Sequence, residues 1–195
     1  MFVVKLLRGI HKLISYMIAG LISLIVIPLG YYASLIGRFT DFSIILSYIP
    51  LYFGEYIRLF YYRVLLRKVG KKTIFKFGSY CQYRETEIGN NCLIGFYNAL
   101  GLVKIGDDVL IGGYVNFTSG LKQHSFTDET KLIREQYGER TMISIGNDCW
   151  IGNNSVICAD LGDRVVVGAG SVVIKELPDY GVYVGSPAKL IKKLG

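Results

Sequence analysis

An aliphatic residue opens five successive short units in one stretch of the chain, four of them six residues long and one of four residues, and a glycine often follows it. The units begin at Ile145, Ile151, Ile157, Leu161 and Val167. A period of six does not suit an α-helix, because residues six apart along a helix lie on different faces. It suits a three-sided prism of short parallel strands, in which each unit forms one flat side and one corner. The pattern predicts inward aliphatic side chains, with glycine or asparagine at turns that need positive φ.

The same register extends towards the N-terminus. Further units begin at Val69, Ile88, Ile94, Ile105 and Ile111. Coils that start at residues 88, 105, 145 and 161 are 17, 40 and 16 residues apart, whereas three full units need about 18. The separation of 40 indicates an insertion, and the separation of 16 indicates a shortened rung at 158–160. We predict about five coils, the first beginning near Val69.

This register resembles the left-handed parallel β-helix of the hexapeptide-repeat O-acetyltransferases. Two further segments carry motifs of that family: Val167–Val173 reads Val-Gly-Ala-Gly-Ser-Val-Val, and Gly185–Lys192 reads Gly-Ser-Pro-Ala-Lys-Leu-Ile-Lys. The chain is similar to galactoside and maltose acetyltransferases and to polysaccharide O-acetyltransferases over about residues 69–195. The resemblance implies acetyl-CoA as co-substrate and a homotrimer with active sites between the prisms.

The N-terminal third is apolar and helical in pattern. Residues 13–37 carry no charge, and a stretch of this length can cross, or enter and leave, a hydrocarbon core of about 30 Å. A second uncharged stretch covers 42–54, and 55–72 is amphipathic and basic, as in a helix that lies on lipid headgroups. We therefore predict hydrophobic membrane-associating helices at 1–68, before a mainly β acyltransferase domain.

That domain is predicted to cover 69–195, with an extruded loop at 120–142 and a C-terminal tail at 177–195. The alternative for the apolar segment is burial against the prism or between subunits. Acetyl-CoA is a cytosolic compound, so the expected location is the bacterial inner membrane with the prism facing the cytoplasm. Residues 13–54 would then form a re-entrant hairpin or two short crossings.

The net charge of +7 is distributed unevenly. Residues 1–72 hold ten Lys/Arg and two acids, a net of +8, while the remaining residues have a net of −1. A basic and apolar segment is typical of a partner of anionic membrane surfaces. The distribution removes the main support for nucleic acid as a partner.

The insertion is polar, and long loops on rigid scaffolds often carry chemistry. His124 lies at its start, about twenty residues before Ile145, where the similar acetyltransferases keep their general base. Such a base contributes about 10²–10⁴ in rate. Asp128 follows four residues later and either orients the imidazole or caps a turn.

The resemblance implies two substrate contacts outside the loop. Asn98, seven residues before Ile105, matches a frequent family asparagine that binds the acceptor; a structural corner asparagine is the alternative. Trp150 matches the family's tryptophan beside the cofactor channel, and a surface-packing role is its alternative. A backbone N–H of the repeat is expected to bind the oxyanion.

The resemblance also implies an acetyl-CoA groove between two prisms. Transferred position by position, the cofactor contacts are Asn153, Ala169, Ile174, Lys175 and Lys192. Asn153 replaces a small residue and Ile174 replaces threonine, so the groove departs from the family pattern at two positions. Lysines near the C-terminus suit the phosphates of coenzyme A.

These observations favour an O-acetyltransferase that modifies a sugar hydroxyl of a lipid-linked or cell-surface glycan. The alternatives are an acetyltransferase for a small soluble acceptor (a sugar, serine or an antibiotic) and a non-catalytic trimeric scaffold. Transfer of a longer acyl chain also stays open. The β-helical carbonic anhydrases need three histidines on one zinc ion, and this chain has two histidines, so no metal site is expected. The four cysteines are expected to be reduced, as small apolar residues inside the repeat.

Overall fold

The computed structural model describes residues 2–195, which form three α-helices followed by a three-sided parallel β-helix. The helices are α1 (Phe2–Leu35), α2 (Phe39–Ser47) and α3 (Leu51–Leu65). Short strands follow them, with a single 3₁₀ turn (Ile133–Glu135) inside the insertion. The parallel β-helix expected from the six-residue register is confirmed.

Each face of the prism is one sheet. The four-stranded face consists of β1 (Lys68–Val69), β4 (Glu87–Ile88), β7 (Val103–Ile105) and β10 (Ile143–Ile145). The seven-stranded face consists of β2 (Ile74–Phe75), β5 (Leu93–Ile94), β8 (Leu110–Ile111), β11 (Trp150–Ile151), β13 (Val166–Val167), β15 (Gly181–Val184) and β16 (Lys189–Lys193). The five-stranded face consists of β3 (Tyr80–Cys81), β6 (Ala99–Leu100), β9 (Asn116–Phe117), β12 (Val156–Ile157) and β14 (Val172–Val173).

The aliphatic residue of each unit points into the prism. Ile88, Ile105 and Ile145 occupy matching positions on successive strands of the four-stranded face, and all three are buried. Stacking these residues fills the interior with one continuous apolar column. The repeat therefore supplies the core, because every coil adds the same inward side chains at about 4.8 Å per rung.

The prism is one incomplete coil longer than the expected five. Leu161 pairs with both Ile145 and Leu177, so two successive coils have 16 residues each. The expected tail at 177–195 therefore begins as a sixth coil, in which β15 runs parallel to β13. Only its last strand, β16, folds back antiparallel on β15 and forms the edge of the sheet.

Polar side chains join successive coils through hydrogen bonds at the corner between the four- and seven-stranded faces. The backbone N–H of Asn90 donates to Asp107 Oδ1 at 2.7 Å, and the N–H of Asp107 donates to Asn147 Oδ1 at 2.9 Å. Asp163 and Asp179 continue the same series towards the last coil. Asparagine and aspartate recur after the aliphatic-glycine pair because their side chains satisfy backbone donors of the neighbouring coil.

Helix α3 covers the open end of the first coil. Tyr62 is fully buried, its ring lies 4.8 Å from that of Phe75, and its hydroxyl accepts a hydrogen bond from the N–H of Cys81 at 3.2 Å. Arg58 is also fully buried. The sequence predicts a basic helix over 55–72 that lies on lipid headgroups with its cations outwards. This prediction is wrong for its bounds and for Arg58, because α3 ends at Leu65, packs on the prism and buries this arginine.

Helix α1 packs on α3 through small residues. Ser15, Ala19 and Ser23 are buried, and a Cβ at Gly30 would overlap the ring of Tyr61. The large aliphatic side chains point away from the protein instead; the most exposed of them include Leu13, Met17, Leu21, Leu24, Ile25 and Leu35. This arrangement reverses that of a helix in a water-soluble core and is typical of a helix whose outer face meets lipid.

The apolar segment contains one helix of membrane-spanning length rather than two. Among residues 2–195, one helix is long and apolar enough to cross a membrane, at Val3–Leu35. It is continuous through Pro28. Helix α2 has nine residues and buries Phe39, Ser43 and Leu46 against the protein, so it is too short and too enclosed for a second crossing.

Candidate active site

The insertion is a hairpin that leaves the prism after Phe117 and returns at Ile143. Its two arms are joined by backbone hydrogen bonds, from Thr141 N–H to Ser119 at 3.0 Å and from Glu139 N–H to Lys122 at 2.7 Å. Further out, His124 pairs with Tyr137 as an antiparallel bridge. These contacts hold His124 on one arm of an ordered hairpin.

The hairpin emerges from the corner between the five- and four-stranded faces. This corner, called the loop edge below, consists of residues 82–86, 101–102, 118–142, 158–160 and 174–176. A groove of about 400 Å³ lies where the base of the hairpin meets the later coils; its lining includes Lys122, Thr141, Cys158 and Glu176. The loop edge therefore offers space beside the hairpin for a bound substrate.

His124 is exposed and lines a second groove of about 380 Å³ with Lys122, Phe126 and Glu139. Within residues 2–195, the imidazole has no hydrogen bond to another side chain or to the backbone. Its nitrogens are free to meet an incoming hydroxyl. A general base must reach the proton of its substrate directly or through one water molecule, and an exposed imidazole without hydrogen bonds is compatible with that role.

Asp128 does not contact His124 among the hydrogen bonds of the described residues. Its Oδ1 accepts hydrogen bonds from the N–H and the hydroxyl of Thr130 at 3.0 and 2.6 Å, and its Oδ2 pairs with Lys131 Nζ at 2.8 Å. The bonds from Lys131 and Thr130 lower the pKa of the Asp128 carboxyl. Of the two roles considered, the geometry therefore favours the turn cap over orientation of the imidazole.

Gln136 organises the same hairpin, and sequence reasoning did not select it. It is buried, its Nε2 donates to the carbonyls of Asp128 and Lys131 at 2.8 and 3.1 Å, and its Oε1 accepts from Asp128 N–H at 3.0 Å. A single glutamine in a polar segment gives no local signal of burial. Its contacts connect the arm after the 3₁₀ turn with the arm that carries His124.

Asn98 is fully buried at a corner of the prism. Its Nδ2 donates to Gly112 O at 2.9 Å, and its Oδ1 accepts from Val115 N–H at 2.7 Å. Both ends of the amide are thus used to join two coils, which leaves no free polar atom for an acceptor. The expected contact with substrate is corrected to the structural alternative.

Trp150 lies on the seven-stranded face, beside Leu110 and Val166. Its side chain is 57% exposed. The loop edge lies between the other two faces, so Trp150 and His124 of one chain are on different sides of the prism. They can line one site only if a second copy brings its seven-stranded face to the loop edge.

Comparisons with known proteins agree with the fold and the repeat. The family model for the hexapeptide repeat of succinyl-transferase matches residues 142–175. Galactoside O-acetyltransferase of Escherichia coli K12 is 37% identical over 117 residues, which cover 54% of this chain and 56% of that enzyme. The crystal structure of a maltose O-acetyltransferase of Clostridium difficile 630 superposes with a TM-score of 0.70 at 26% identity, covering 83% of this chain and 89% of that one.

The chain is similar to the hexapeptide-repeat acetyltransferases in both its repeat and its fold. This confirms the resemblance drawn from the register. The chain spans little more than half the length of the galactoside enzyme that it matches. At the level of the fold, it is also similar to a variant of an N-acyltransferase of Bacillus cereus solved with dTDP and coenzyme A, at a TM-score of 0.55 and 18% identity.

The cofactor positions carried over from this hexapeptide-repeat family lie on separate parts of the prism. Asn153 and Ala169 are at the corner between the seven- and five-stranded faces, Ile174 and Lys175 are on the loop edge, and Lys192 is on β16. All five are exposed. In one chain the first pair is separated from the loop edge by the whole five-stranded face.

Asn153 departs from the family pattern for a reason visible in the fold. Its Oδ1 accepts a hydrogen bond from Gly113 N–H at 2.8 Å, and a Cβ at Gly112 would overlap that oxygen. The side chain therefore lies against the preceding coil. It narrows the corner less than a side chain directed into solvent would.

Cys149 is excluded as a nucleophile. Its side chain is 2% exposed, its thiol donates to Gly162 O at 3.1 Å, and burial raises its pKa to about 11. The thiolate that a nucleophile needs is therefore scarce at neutral pH. Within residues 2–195 there is also no group of three His, Cys, Asp or Glu side chains that could hold a metal ion.

Proposed function

We propose that the protein is an acetyl-CoA-dependent O-acetyltransferase that modifies a sugar hydroxyl of a lipid-linked or cell-surface glycan. The observation that carries this proposal is the exposed, unbonded imidazole of His124 on an ordered hairpin beside the loop-edge grooves. Similarity to the hexapeptide-repeat acetyltransferases supports the acetyl transfer, and the outward apolar face of α1 supports an acceptor held at a membrane.

His124 acts as the general base. One imidazole nitrogen takes the proton of the acceptor hydroxyl while the hydroxyl oxygen attacks the acetyl carbonyl and forms the new ester bond. The same nitrogen then gives this proton to the thiolate of coenzyme A, which leaves. Bound acetyl-CoA supplies the acetyl group as a thioester. The products are then an acetylated sugar and free coenzyme A, so atoms and protons balance. Asp128 serves this step only by keeping the hairpin in shape.

The residues of the chain suit coenzyme A in charge and exposure. Lys175 on the loop edge and Lys192 on β16 are exposed cations near the C-terminal end of the prism, where they can pair with phosphate groups. Ala169 and Ile174 are exposed apolar neighbours for the pantetheine arm. Asn153 contributes to the groove through its backbone, because its side chain is already bonded.

A homotrimer places these residues together. Hexapeptide-repeat acetyltransferases are typically trimers, and the seven-stranded face of this chain exposes Leu110 and Trp150, which are 50% and 57% exposed. Exposure of such a face to water costs a free energy of roughly 25 cal/mol for each Å² of apolar surface. Packing it near the loop edge of a second copy brings Trp150 to the groove beside His124.

We further propose that the protein is bound to the bacterial inner membrane through residues 1–68 with its prism in the cytoplasm. The support is the distribution of side chains on α1, where small residues face α3 and large aliphatic residues face outwards. A soluble trimer would have to cover this face with a partner.

Free thiol released from acetyl-CoA by detergent-purified protein tests the function. We expect turnover with a lipid-linked oligosaccharide, a fall of about 10²–10⁴ for His124→Ala, and an unchanged rate for Glu129→Ala, an exposed residue of the same hairpin. Retained coenzyme A binding in His124→Ala would assign the loss to chemistry. Wild-type rates in His124→Ala would refute the role of this residue.

A second candidate is an acetyltransferase for a small soluble acceptor. It is favoured by the relatives, whose names specify galactosides and maltose. Turnover of free sugars at the same rate as lipid-linked sugars would select this candidate. Coenzyme A binding without turnover on any acceptor would select the non-catalytic scaffold.

A further inference from the structure

An open apolar groove lies between α1 and α3, away from the hairpin that carries His124. It has a volume of about 640 Å³, which is within the range of small-molecule sites. Its lining includes Gly20, Leu24 and Pro28 of α1 and Phe60, Arg63 and Val64 of α3. The groove opens beside the outward apolar face of α1, so a hydrocarbon chain can enter it directly from a bilayer.

The shape of the groove follows from the sequence of α1. Gly20 has no side chain to fill the space, and a Cβ there would lie 4.0 Å from the ring of Phe60. Pro28 lacks the N–H that would bond to the carbonyl of Leu24. The absent side chain at Gly20 thus leaves space between α1 and Phe60 of α3.

One cation lies among these apolar residues. Arg63 is exposed, and within residues 2–195 it makes no ion pair and no side-chain hydrogen bond. An unpaired guanidinium at the rim of an apolar groove favours a ligand that has a hydrocarbon chain and an anionic oxygen-rich head. A phosphate group meets this requirement, because its oxygens match the forked donors of arginine.

The groove continues towards the candidate active site. Val64 also lines a second pocket, which contains Arg67, Arg84 and Glu85. Arg84 is on the loop edge in the first coil, and its neighbour Tyr83 lies beneath the guanidinium of Arg140, 5.8 Å from the ring centroid. Arg140 belongs to the hairpin that carries His124. Arg84 and Arg140 of the loop edge therefore lie between the second pocket and the hairpin.

We infer that the groove between α1 and α3 binds the hydrocarbon chain of a phosphate-bearing lipid, with the phosphate at Arg63 and the head group directed along the loop edge. That this lipid is the carrier of the acetylated glycan rests on the proposed function; the lipid binding itself does not. The inference gives the N-terminal helices a substrate-positioning role in addition to anchoring.

Binding is tested on the detergent-purified full chain without acetyl-CoA, with two probes of identical chain length. Palmitoyl lysophosphatidic acid carries the phosphate, and monopalmitoylglycerol lacks it. Native mass spectrometry counts bound lipid per chain, and titration gives the two affinities. We expect one tightly bound lysophosphatidic acid per chain and at least about tenfold weaker binding of the uncharged probe. Excess inorganic phosphate should not displace the lipid.

Matched variants separate the groove from the general basic surface. Arg63→Gln should remove the preference for the charged probe, whereas Lys71→Gln, an exposed cation outside the groove, should keep it. Gly20→Leu and Val64→Trp should abolish binding of both probes by filling the groove. Gly9→Leu makes the same change at a position of α1 with no neighbour within 4 Å and should bind normally.

If Arg63→Gln and Lys71→Gln lost the preference for lysophosphatidic acid equally, the inference would be overturned. The preference would then come from non-specific attraction of the phosphate to the basic surface. Normal binding in both Gly20→Leu and Val64→Trp would overturn it as well. Val64 is 58% exposed, so its variant tests the groove even if Gly20→Leu fails to fold. Because no turnover is measured, this result stands apart from success or failure of the transferase assay.

Discussion

Arg58 of α3 donates two hydrogen bonds to the carbonyl oxygen of Phe75 in the first coil, at 3.2 Å from Nε and 3.1 Å from Nη2. Its Nη1 donates to three more carbonyls, those of Leu46, Ser47 and Ile49, at 3.1, 3.2 and 2.8 Å. The guanidinium therefore joins α3, the end of α2 and the prism. Burial lowers its pKa, but an arginine remains charged at neutral pH.

Backbone dipoles bind the guanidinium of Arg58 directly, and the charge of Glu55 also favours its charged form. Two of its acceptors are at the C-terminal end of α2, where the helix dipole favours a cation. This contact explains how a short helix without a capping side chain is held against the prism. It adds to the contacts of Tyr62 with Phe75 and Cys81, which also hold the helical layer on the prism.

Arg58→Met is expected to lower the free energy of unfolding by at least about 3 kcal/mol, because several buried carbonyls lose their donors at roughly 1–3 kcal/mol each. Arg67→Met, at an exposed position, should change it by less than about 0.5 kcal/mol. Urea unfolding followed by circular dichroism measures both. Similar stabilities for the two variants would show that the buried contacts are weak.

The prism could be predicted from the sequence because each coil repeats the same short pattern of an aliphatic residue and a turn residue. Ile88, Ile105, Ile145 and Leu161 each start a coil and are all buried, as expected from six-residue spacing alone. The sixth coil was missed because Leu177 is followed by Pro178 rather than glycine, so its unit lacks the usual opening pair.

Residues that act between elements could not be predicted in this way. Arg58 looks like one of several cations on an amphipathic helix, and Gln136 looks like a solvated loop residue. Their burial depends on how α2, α3 and the hairpin meet the prism, and no periodicity encodes that arrangement. His124 was selected through family resemblance, and its role stays a prediction.

Asn98→Ala is expected to reduce stability and leave acceptor binding intact. The alanine leaves Gly112 O and Val115 N–H without their partner, at a cost of roughly 1–3 kcal/mol for each buried group. Thermal unfolding should therefore shift downwards, while the KM for the acceptor of the folded fraction stays within about twofold. A KM raised tenfold at unchanged thermal stability would instead assign Asn98 to the acceptor site.

Asp128→Asn separates a turn cap from a catalytic partner. Asparagine keeps an acceptor oxygen for Thr130 and loses the ion pair with Lys131, so we expect faster proteolysis of the hairpin and a kcat within tenfold of wild type. The depressed pKa of Asp128 has a further consequence. Its stabilising contacts are present above the ordinary carboxyl pKa and are lost as the pH falls through the lower folded value, so wild-type hairpin protection should fall only in strong acid. A kcat lowered by 10² or more would restore orientation of His124 as its role.

Cys149→Val should preserve both stability and turnover. The matching positions on adjacent coils are Val109 and Val165, and all three side chains are buried, so valine suits the site in shape. In the wild type, the pKa of about 11 keeps Cys149 protonated in the folded state, whereas the unfolded thiol ionises near its ordinary value of 9.0. Cys149 therefore contributes less stability as the pH rises above about 9, and the valine variant should lose less stability over that range.

At pH 8, iodoacetamide should label the half-buried Cys158 before Cys149, as mass spectrometry of tryptic peptides would reveal. Rapid labelling of Cys149 in folded protein, or loss of turnover in Cys149→Val, would contradict its role as a packing residue.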